Sequence, residues 1–104
     1  MPTVVQLLHA IGVDPDDPFL HYALAQELAK GNAGSQAAAV EAYDRCLALD
    51  PAYCYAYFHK AKVLEALGRL PDAKAALTLG VSHATRVGDG KALGELSGYL
   101  HSIA

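Results

Sequence analysis

Two short breaks of the same pattern divide this chain and set the spacing of everything between them. Val13-Asp14-Pro15 recurs 36 residues later as Leu49-Asp50-Pro51. Because the residue before a proline is pushed out of helical geometry, each Asp-Pro pair predicts the end of one helix, with another helix after it. A break that recurs at this interval predicts an internal repeat, and an internal repeat restricts the fold to stacked copies of one supersecondary unit.

Helical periodicity covers the chain, and no segment alternates apolar and polar residues as a half-buried strand would. The sequence therefore predicts an all-α fold of about six helices joined by short turns. We expect the following bounds: 2–12, ended by Gly12; from Asp16 or Asp17 with Pro18 in the first turn to Gly31; from an N-cap at Ser35 to Leu49; from Pro51 to a stop at Gly68; from Pro71 to Val87; and from an N-cap at Asp89 to the end.

The helices that follow the two breaks correspond residue by residue. His21, Leu24, Ala25 and Leu28 match Tyr57, Lys60, Ala61 and Leu64, and Ala39 and Tyr43 match Ala73 and Leu77. This pattern resembles the tetratricopeptide repeat, a helix-turn-helix of about 34 residues. His21 and Lys60 depart from it, since they stand where the family has an aromatic residue and a leucine.

The resemblance implies stacked antiparallel helical hairpins in one domain, of the kind found in small stand-alone bacterial proteins of this family. Residues 1–104 are then divided into an N-terminal capping helix at 2–12, a first repeat at 16–51, a second repeat at 52–87 and a C-terminal capping helix at 89–104. A helix at each end covers the apolar face that two hairpins alone would expose.

Composition excludes several function classes. The formal net charge is −3 and the eight Lys and Arg residues are scattered, whereas nucleic-acid binding needs a concentrated basic face. No apolar run approaches the length of a membrane span, and the N-terminus does not read as a secretory signal. We therefore expect a soluble cytoplasmic protein that binds neither nucleic acid nor membrane.

The resemblance also implies a binding site, because the first helices of successive tetratricopeptide units line a concave groove that holds a peptide or protein segment. Helical phase places the following residues on that face: Phe19, Tyr22, Gln26, Lys30, Tyr53, Tyr55, Phe58, Lys62 and Glu65. The competing interpretation is that several of these rings pack on each other. Family members that hold a C-terminal carboxylate carry Lys and Asn where this chain has Tyr22, Phe58 and Gln26, so an apolar or aromatic segment is the expected ligand.

Catalytic and metal sites are not predicted. The five histidines fall on five different helices with no pair at helical spacing, and no phosphate loop or nucleophile motif is present. We expect no metal, no cofactor and no enzymatic activity. Cys46 occupies a small buried repeat position and Cys54 is expected to be partly exposed, and without a secretory signal a disulfide between them is not predicted.

Gly90, Gly94 and Gly98 form a stripe along the last helix, and each costs up to about 1 kcal/mol relative to alanine. Such a stripe permits close approach of a second helix. We expect the fifth helix to make that approach, with a second molecule as the alternative. Two hypotheses for function remain: a non-catalytic interaction module with an aromatic groove, or a self-associating unit that forms a homodimer through the groove or the last helix.

Overall fold

The computed structural model describes residues 2–104. Over these residues it contains α-helices and no strand, which confirms the predicted all-α fold. The helices, in chain order, are α1 (Val4–Val13), α2 (Pro18–Leu28), α3 (Ala33–Leu49), α4 (Cys54–Ala66), α5 (Leu70–Val87) and α6 (Gly90–Ile103). The pairs α2–α3 and α4–α5 pack as hairpins, α1 lies on α2, and α6 lies on α5.

Several helix ends form as the sequence predicts. Asp17 caps α2, with Pro18 in its first turn, and Asp89 caps α6 by accepting a hydrogen bond from the Ala92 N–H. Gly68 has φ of +75°, a conformation that glycine adopts at little cost. Its N–H and that of Arg69 donate to two carbonyls in the last turn of α4, which closes the helix in a Schellman motif.

Other predicted ends are wrong. Gly12 lies inside α1, which runs to Val13, and α2 ends at Leu28 instead of Gly31. Ser35 is not the N-cap of α3: the Asn32 side chain accepts from the Ser35 N–H at 3.0 Å, while the Ser35 hydroxyl donates to the carbonyl of residue 28 at 2.6 Å.

Pro51 does not open α4. The Asp50 carboxylate accepts from the Ala52 N–H at 3.1 Å, and the Tyr53 N–H donates to the Asp50 carbonyl at 3.0 Å. These two bonds hold residues 50–53 in a turn, so that α4 begins at Cys54. The start of α5 is shifted by one residue in the other direction, to Leu70.

The core runs through both hairpins, from α1 to α6, and many of its residues are small. Ala25, Ala39, Ala61 and Ala73 are all 0% exposed, which confirms that these positions let the paired helices approach closely. Tyr43 and Leu77 are also fully buried, as expected of the large residues that fill the space between hairpins.

The two repeats tie each turn to the helix that follows it by the same hydrogen bond. His21 Nε2–H donates to the Pro15 carbonyl at 2.7 Å, and the Tyr57 hydroxyl donates to the Pro51 carbonyl at 2.8 Å. Each donor lies six residues after its acceptor. His21 therefore replaces the aromatic residue of the repeat without loss of the hydrogen bond, since both side chains place a donor at the tip of a planar ring.

Both cysteines are free thiols. Cys46 is fully buried, as predicted, and burial raises the pKa of its thiol to about 12. The prediction of partial exposure for Cys54 is wrong: the residue is 5% exposed, and its thiol donates to the Ala52 carbonyl in the turn before α4.

Candidate protein-binding site

The first helices of the repeats, α2 and α4, lie in register with α6 at intervals of 36 residues. The burial pattern supports this register, because Ala56 and Ala92 are both 0% exposed where α4 and α6 pack on the preceding helix. On this register the predicted concave positions of the three helices are Tyr22, Phe58 and Gly94 in one row, and Gln26, Lys62 and Gly98 in the next.

Aromatic rings fill the concave face between α2 and α4. The Tyr22 ring lies with its centroid 4.9 Å from that of Tyr53, 5.9 Å from that of His59 and 6.0 Å from that of Tyr43. Burial raises the pKa of the Tyr22 hydroxyl and lowers the pKa of His59, which Lys62 lowers further. The rings of this half of the face therefore pack on each other and leave little space for a ligand.

The face opens between α4 and α6. A cleft of about 710 Å³ is bounded by Phe58, Lys62, Glu65, Ala66, Gly94, Glu95, Gly98, Tyr99 and Ser102. The equivalent cleft between α2 and α4 measures about 230 Å³. The residues that α4 directs towards α2 include His59 and Lys62, whereas α6 has Glu95 and Gly98 at the equivalent positions. Loss of a side chain at Gly98 thus contributes to the larger cleft.

Two aromatic rings and a short polar network define this cleft. The Phe58 and Tyr99 rings meet edge to face with centroids 5.3 Å apart, and the Tyr99 hydroxyl donates to Glu65 at 2.7 Å. The ammonium group of Lys62 lies 5.3 Å from the centre of the Phe58 ring, within reach of a cation–π interaction. The cleft therefore offers apolar ring surface beside charges of both signs.

The expectation that the glycine stripe packs on α5 is wrong. A Cβ atom added at Gly90, Gly94 or Gly98 would meet nothing within 4 Å. The close approach is made instead by Gly80 of α5, where an added Cβ would lie 2.8 Å from Tyr57 Cβ. Gly94 and Gly98 instead expose helix backbone along one side of the cleft.

The remaining predicted site residues are dispersed. Gln26 accepts a hydrogen bond from the Tyr43 hydroxyl, and Lys30, which lies just after the end of α2, pairs with Glu27. Phe19 is 56% exposed at the side of α2 that faces α1, away from the cleft. Tyr55 is half-buried at the start of α4, where burial and the nearby Glu95 raise its pKa.

The structure thus brings Tyr22 together with Tyr53, and Phe58 with Lys62 and Glu65. Sequence reasoning missed the contribution of α6, above all Tyr99. Its signal was available in the 36-residue register, which extends to α6 once that helix is treated as the first helix of a third unit.

Two classes of site are not found in the part of the chain that the structure describes. No group of three or more His, Cys, Asp and Glu side chains is placed to hold a metal ion among residues 2–104. No helix within that range is both long and apolar enough to cross a membrane.

Paired helices stacked in register, with small residues at the close contacts, define a helical-repeat protein. A family model described as tetratricopeptide repeat matches residues 42–75. Two solved structures of a tetratricopeptide repeat domain protein from Salinibacter ruber are similar over most of the chain. The solution structure is 34% identical, covers 86% of this chain and 89% of its own, and has a TM-score of 0.78. The crystal structure is 33% identical, with 84% and 94% covered and a TM-score of 0.73.

This chain belongs to the tetratricopeptide repeat family. Members of the family generally mediate protein interactions and are typically non-catalytic. The search of curated proteins gave no match.

Proposed function

We propose that the chain is a non-catalytic interaction module that binds a protein or peptide segment on its concave face, with an apolar or aromatic side chain in the cleft between α4 and α6. The observation that carries this proposal is the cleft itself. Its volume of about 710 Å³ lies within the range of ligand sites, and it combines Phe58 and Tyr99 with open backbone at Gly94 and Gly98.

The chemistry of the cleft favours a segment with an aromatic or large aliphatic anchor. Aromatic side chains provide most of the energy at many protein interfaces, since they give large contact area at low entropic cost. The open sides of Gly94 and Gly98 allow the backbone of the segment to lie close to α6. Lys62 forms no ion pair among residues 2–104, and can therefore face a carboxylate on the partner.

The α2 half of the concave face also argues against a terminal carboxylate as the ligand. Gln26 Oε1 accepts from the Tyr43 hydroxyl and Tyr22 packs among three rings, and neither side chain carries the positive charge with which a lysine holds a terminal carboxylate. The two free buried cysteines support a reducing compartment, and we place the interaction in the cytoplasm.

The test uses a glycine that the fold does not need. Gly94→Leu puts a side chain into the cleft, where an added Cβ meets nothing. Gly12→Leu is the matched control, because Gly12 is likewise an exposed helical glycine with open space around it, on α1. A random peptide library is panned on the wild type, and the enriched peptides are titrated calorimetrically against all three proteins.

We expect peptides with an aromatic or large aliphatic anchor that bind the wild type and the Gly12→Leu control equally. The Gly94→Leu variant should bind at least tenfold more weakly, a loss of about 1.4 kcal/mol. Failure to enrich any peptide, or equal binding by the Gly94→Leu variant, would contradict the proposal.

A further inference from the structure

A second apolar slot lies at the other end of the stack, between α1 and α2. It measures about 440 Å³ and is lined by Pro2, Gln6, Leu7, Ala10, Phe19, Leu20, Tyr22, Ala23, Gln26 and Glu27. The lining on α2 includes Ala23, Gln26 and Glu27. Their equivalents 36 residues later, His59, Lys62 and Val63, line the cleft between α4 and α2. The α2 face that bounds the slot therefore corresponds to the α4 face that packs towards α2. In the repeat, this face lies against the first helix of the preceding unit.

The residues on the α1 side of the slot also correspond to residues that contact a first helix. In the 36-residue register, Leu7 and Ala10 of α1 are equivalent to Tyr43 and Cys46 of α3. Those two α3 residues are fully buried, and Tyr43 bonds to the first helix of its own hairpin. Helix α1 thus has the position of a second helix, no first helix among residues 2–104 pairs with it, and the slot has the position that such a first helix would take.

Helix α6 has the complementary position, because it corresponds to a first helix and no second helix among residues 2–104 packs on it. Its residues Leu93, Ser97 and Leu100 are equivalent to three α4 residues that pack under α5: Tyr57, Ala61 and Leu64. The α4 residues are 5%, 0% and 1% exposed. On α6, Leu93 and Leu100 are only half-buried and Ser97 is exposed.

We infer that α6 of one copy occupies the slot between α1 and α2 of a second copy, so that chains stack head to tail. The contact continues the hairpin interface that α2 forms with α3 and α4 with α5. Leu93, Ser97 and Leu100 of the first copy face the half-buried Ala10 of the second and the edge of Leu7, which is 4% exposed in the single chain.

Charge and hydrogen bonding permit this contact. Helix α1 carries no Asp, Glu, Lys or Arg, and neither do the three α6 positions. Three polar side chains of the slot already have partners: Gln6 accepts from the Thr3 N–H, Gln26 from Tyr43, and Glu27 pairs with Lys30. Insertion of the α6 face that carries Leu93, Ser97 and Leu100 therefore leaves these three polar side chains with the partners they already have.

The size of the contact sets its strength. The 10 residues of α1 span about 15 Å. We expect a contact with a helix this short to bury less than the ~1,200 Å² of a stable specific interface. Stacking is therefore weak. Because a head-to-tail contact leaves one face open at each end, the assembly grows with concentration and does not stop at a dimer.

Two variants block the two faces separately. Ala10→Arg fills the slot, and Ser97→Arg blocks the α6 face at an exposed residue whose equivalents Ala25 and Ala61 are fully buried. Ser82→Arg, at an exposed position on α5, is the control for the added charge. Ala23→Arg is a second slot variant, on α2, for use if the circular dichroism of Ala10→Arg is not native. Weight-average mass is measured by sedimentation equilibrium between ~10 μM and ~1 mM.

We expect the mass of the wild type and of Ser82→Arg to rise continuously with concentration, and each blocked variant alone to remain monomeric. A mixture of Ala10→Arg and Ser97→Arg retains one intact slot and one intact α6 face, and should form a 1:1 heterodimer that grows no further. A monomeric wild type throughout, self-association of either blocked variant, or a monomeric mixture would overturn the inference. These outcomes are independent of peptide binding, since neither substitution lies among the residues that line the cleft between α4 and α6.

Discussion

Replacement of Gly94 or Gly98 by alanine should stabilise this protein, whereas the same replacement at Gly80 should destabilise it. All three glycines are helical, so each gains the same intrinsic helix propensity on substitution, about 0.8–1.0 kcal/mol. They differ only in what the new methyl group meets. At Gly94 and Gly98 it meets open space, while at Gly80 it lies 2.8 Å from Tyr57 Cβ and 3.1 Å from Leu96 Cδ2.

The expected magnitudes follow directly. With about 2.1 cal/mol/K of unfolding entropy per residue, a chain of 104 residues gains roughly 4 °C in Tm for each 0.9 kcal/mol, and the Gly94→Ala/Gly98→Ala double variant gains roughly 8 °C. Overpacking at Gly80 costs about 1–3 kcal/mol, which exceeds the propensity gain over most of that range. Net destabilisation at Gly80 is therefore up to ~2 kcal/mol.

Thermal and urea unfolding, both followed by circular dichroism, are measured for the wild type, the three single variants and the double variant. The midpoint should move up for the α6 variants and down for Gly80→Ala, with unchanged m-values, since compactness does not change. A lower midpoint for Gly94→Ala or Gly98→Ala would mean that this side of α6 is packed. That result would refute both the open cleft and the reasoning that assigns a binding role to it.

Three further predictions concern single side chains. Tyr57→Phe removes the hydrogen bond to the preceding turn and should cost about 1 kcal/mol by urea unfolding; His21→Phe should cost less, because it also removes a buried Nδ1 that has no partner. Burial, with Lys62, lowers the pKa of His59 below 6.5. The stability that neutral His59 contributes is therefore full above pH ~6.5 and is lost as the pH falls through the folded pKa of His59. His59→Gln should make the free energy of unfolding fall less steeply at acidic pH. The Cys46 thiol, with its pKa raised to about 12, should not react with a thiol reagent at pH ~8 until the protein is unfolded.

The architecture could be predicted from the sequence because residues with the same packing role recur at equivalent positions of the two repeats. Ala25 and Ala61 are buried at equivalent positions, and the Asp-Pro breaks recur with the same spacing. Helix starts were predictable where one strong N-cap stands alone, as at Asp89, or where a proline follows the candidate caps, as at Asp16 and Asp17 before Pro18. Where Asn32 and Ser35 lie three residues apart, both satisfy the N-cap preference, and only the tertiary position of the Leu28 carbonyl decides that Ser35 bonds elsewhere.

The binding face was harder to predict, because phase along one helix does not show what a neighbouring helix covers. Tyr22 and Phe58 occupy equivalent positions, yet Tyr22 packs among Tyr43, Tyr53 and His59 while Phe58 borders the open cleft. The difference depends on the next helix in each case. Helix α4 presents His59 to Tyr22, whereas α6 presents the backbone of Gly94 and Gly98 to the α4 side of the cleft.

The energetic cost of those two glycines bears on why the cleft is open. Together they forgo up to about 2 kcal/mol of helix propensity in a domain whose whole stability is expected to be ~5–15 kcal/mol. Gly80 has a packing reason within the fold, since Tyr57 leaves no room for a Cβ there. Gly94 and Gly98 have none among residues 2–104. Helical glycines without an intramolecular contact allow the close backbone approach of a bound segment. If Gly94→Ala and Gly98→Ala stabilise the domain and also weaken peptide binding, peptide binding at this cleft explains why the two positions forgo the stability that alanine would give.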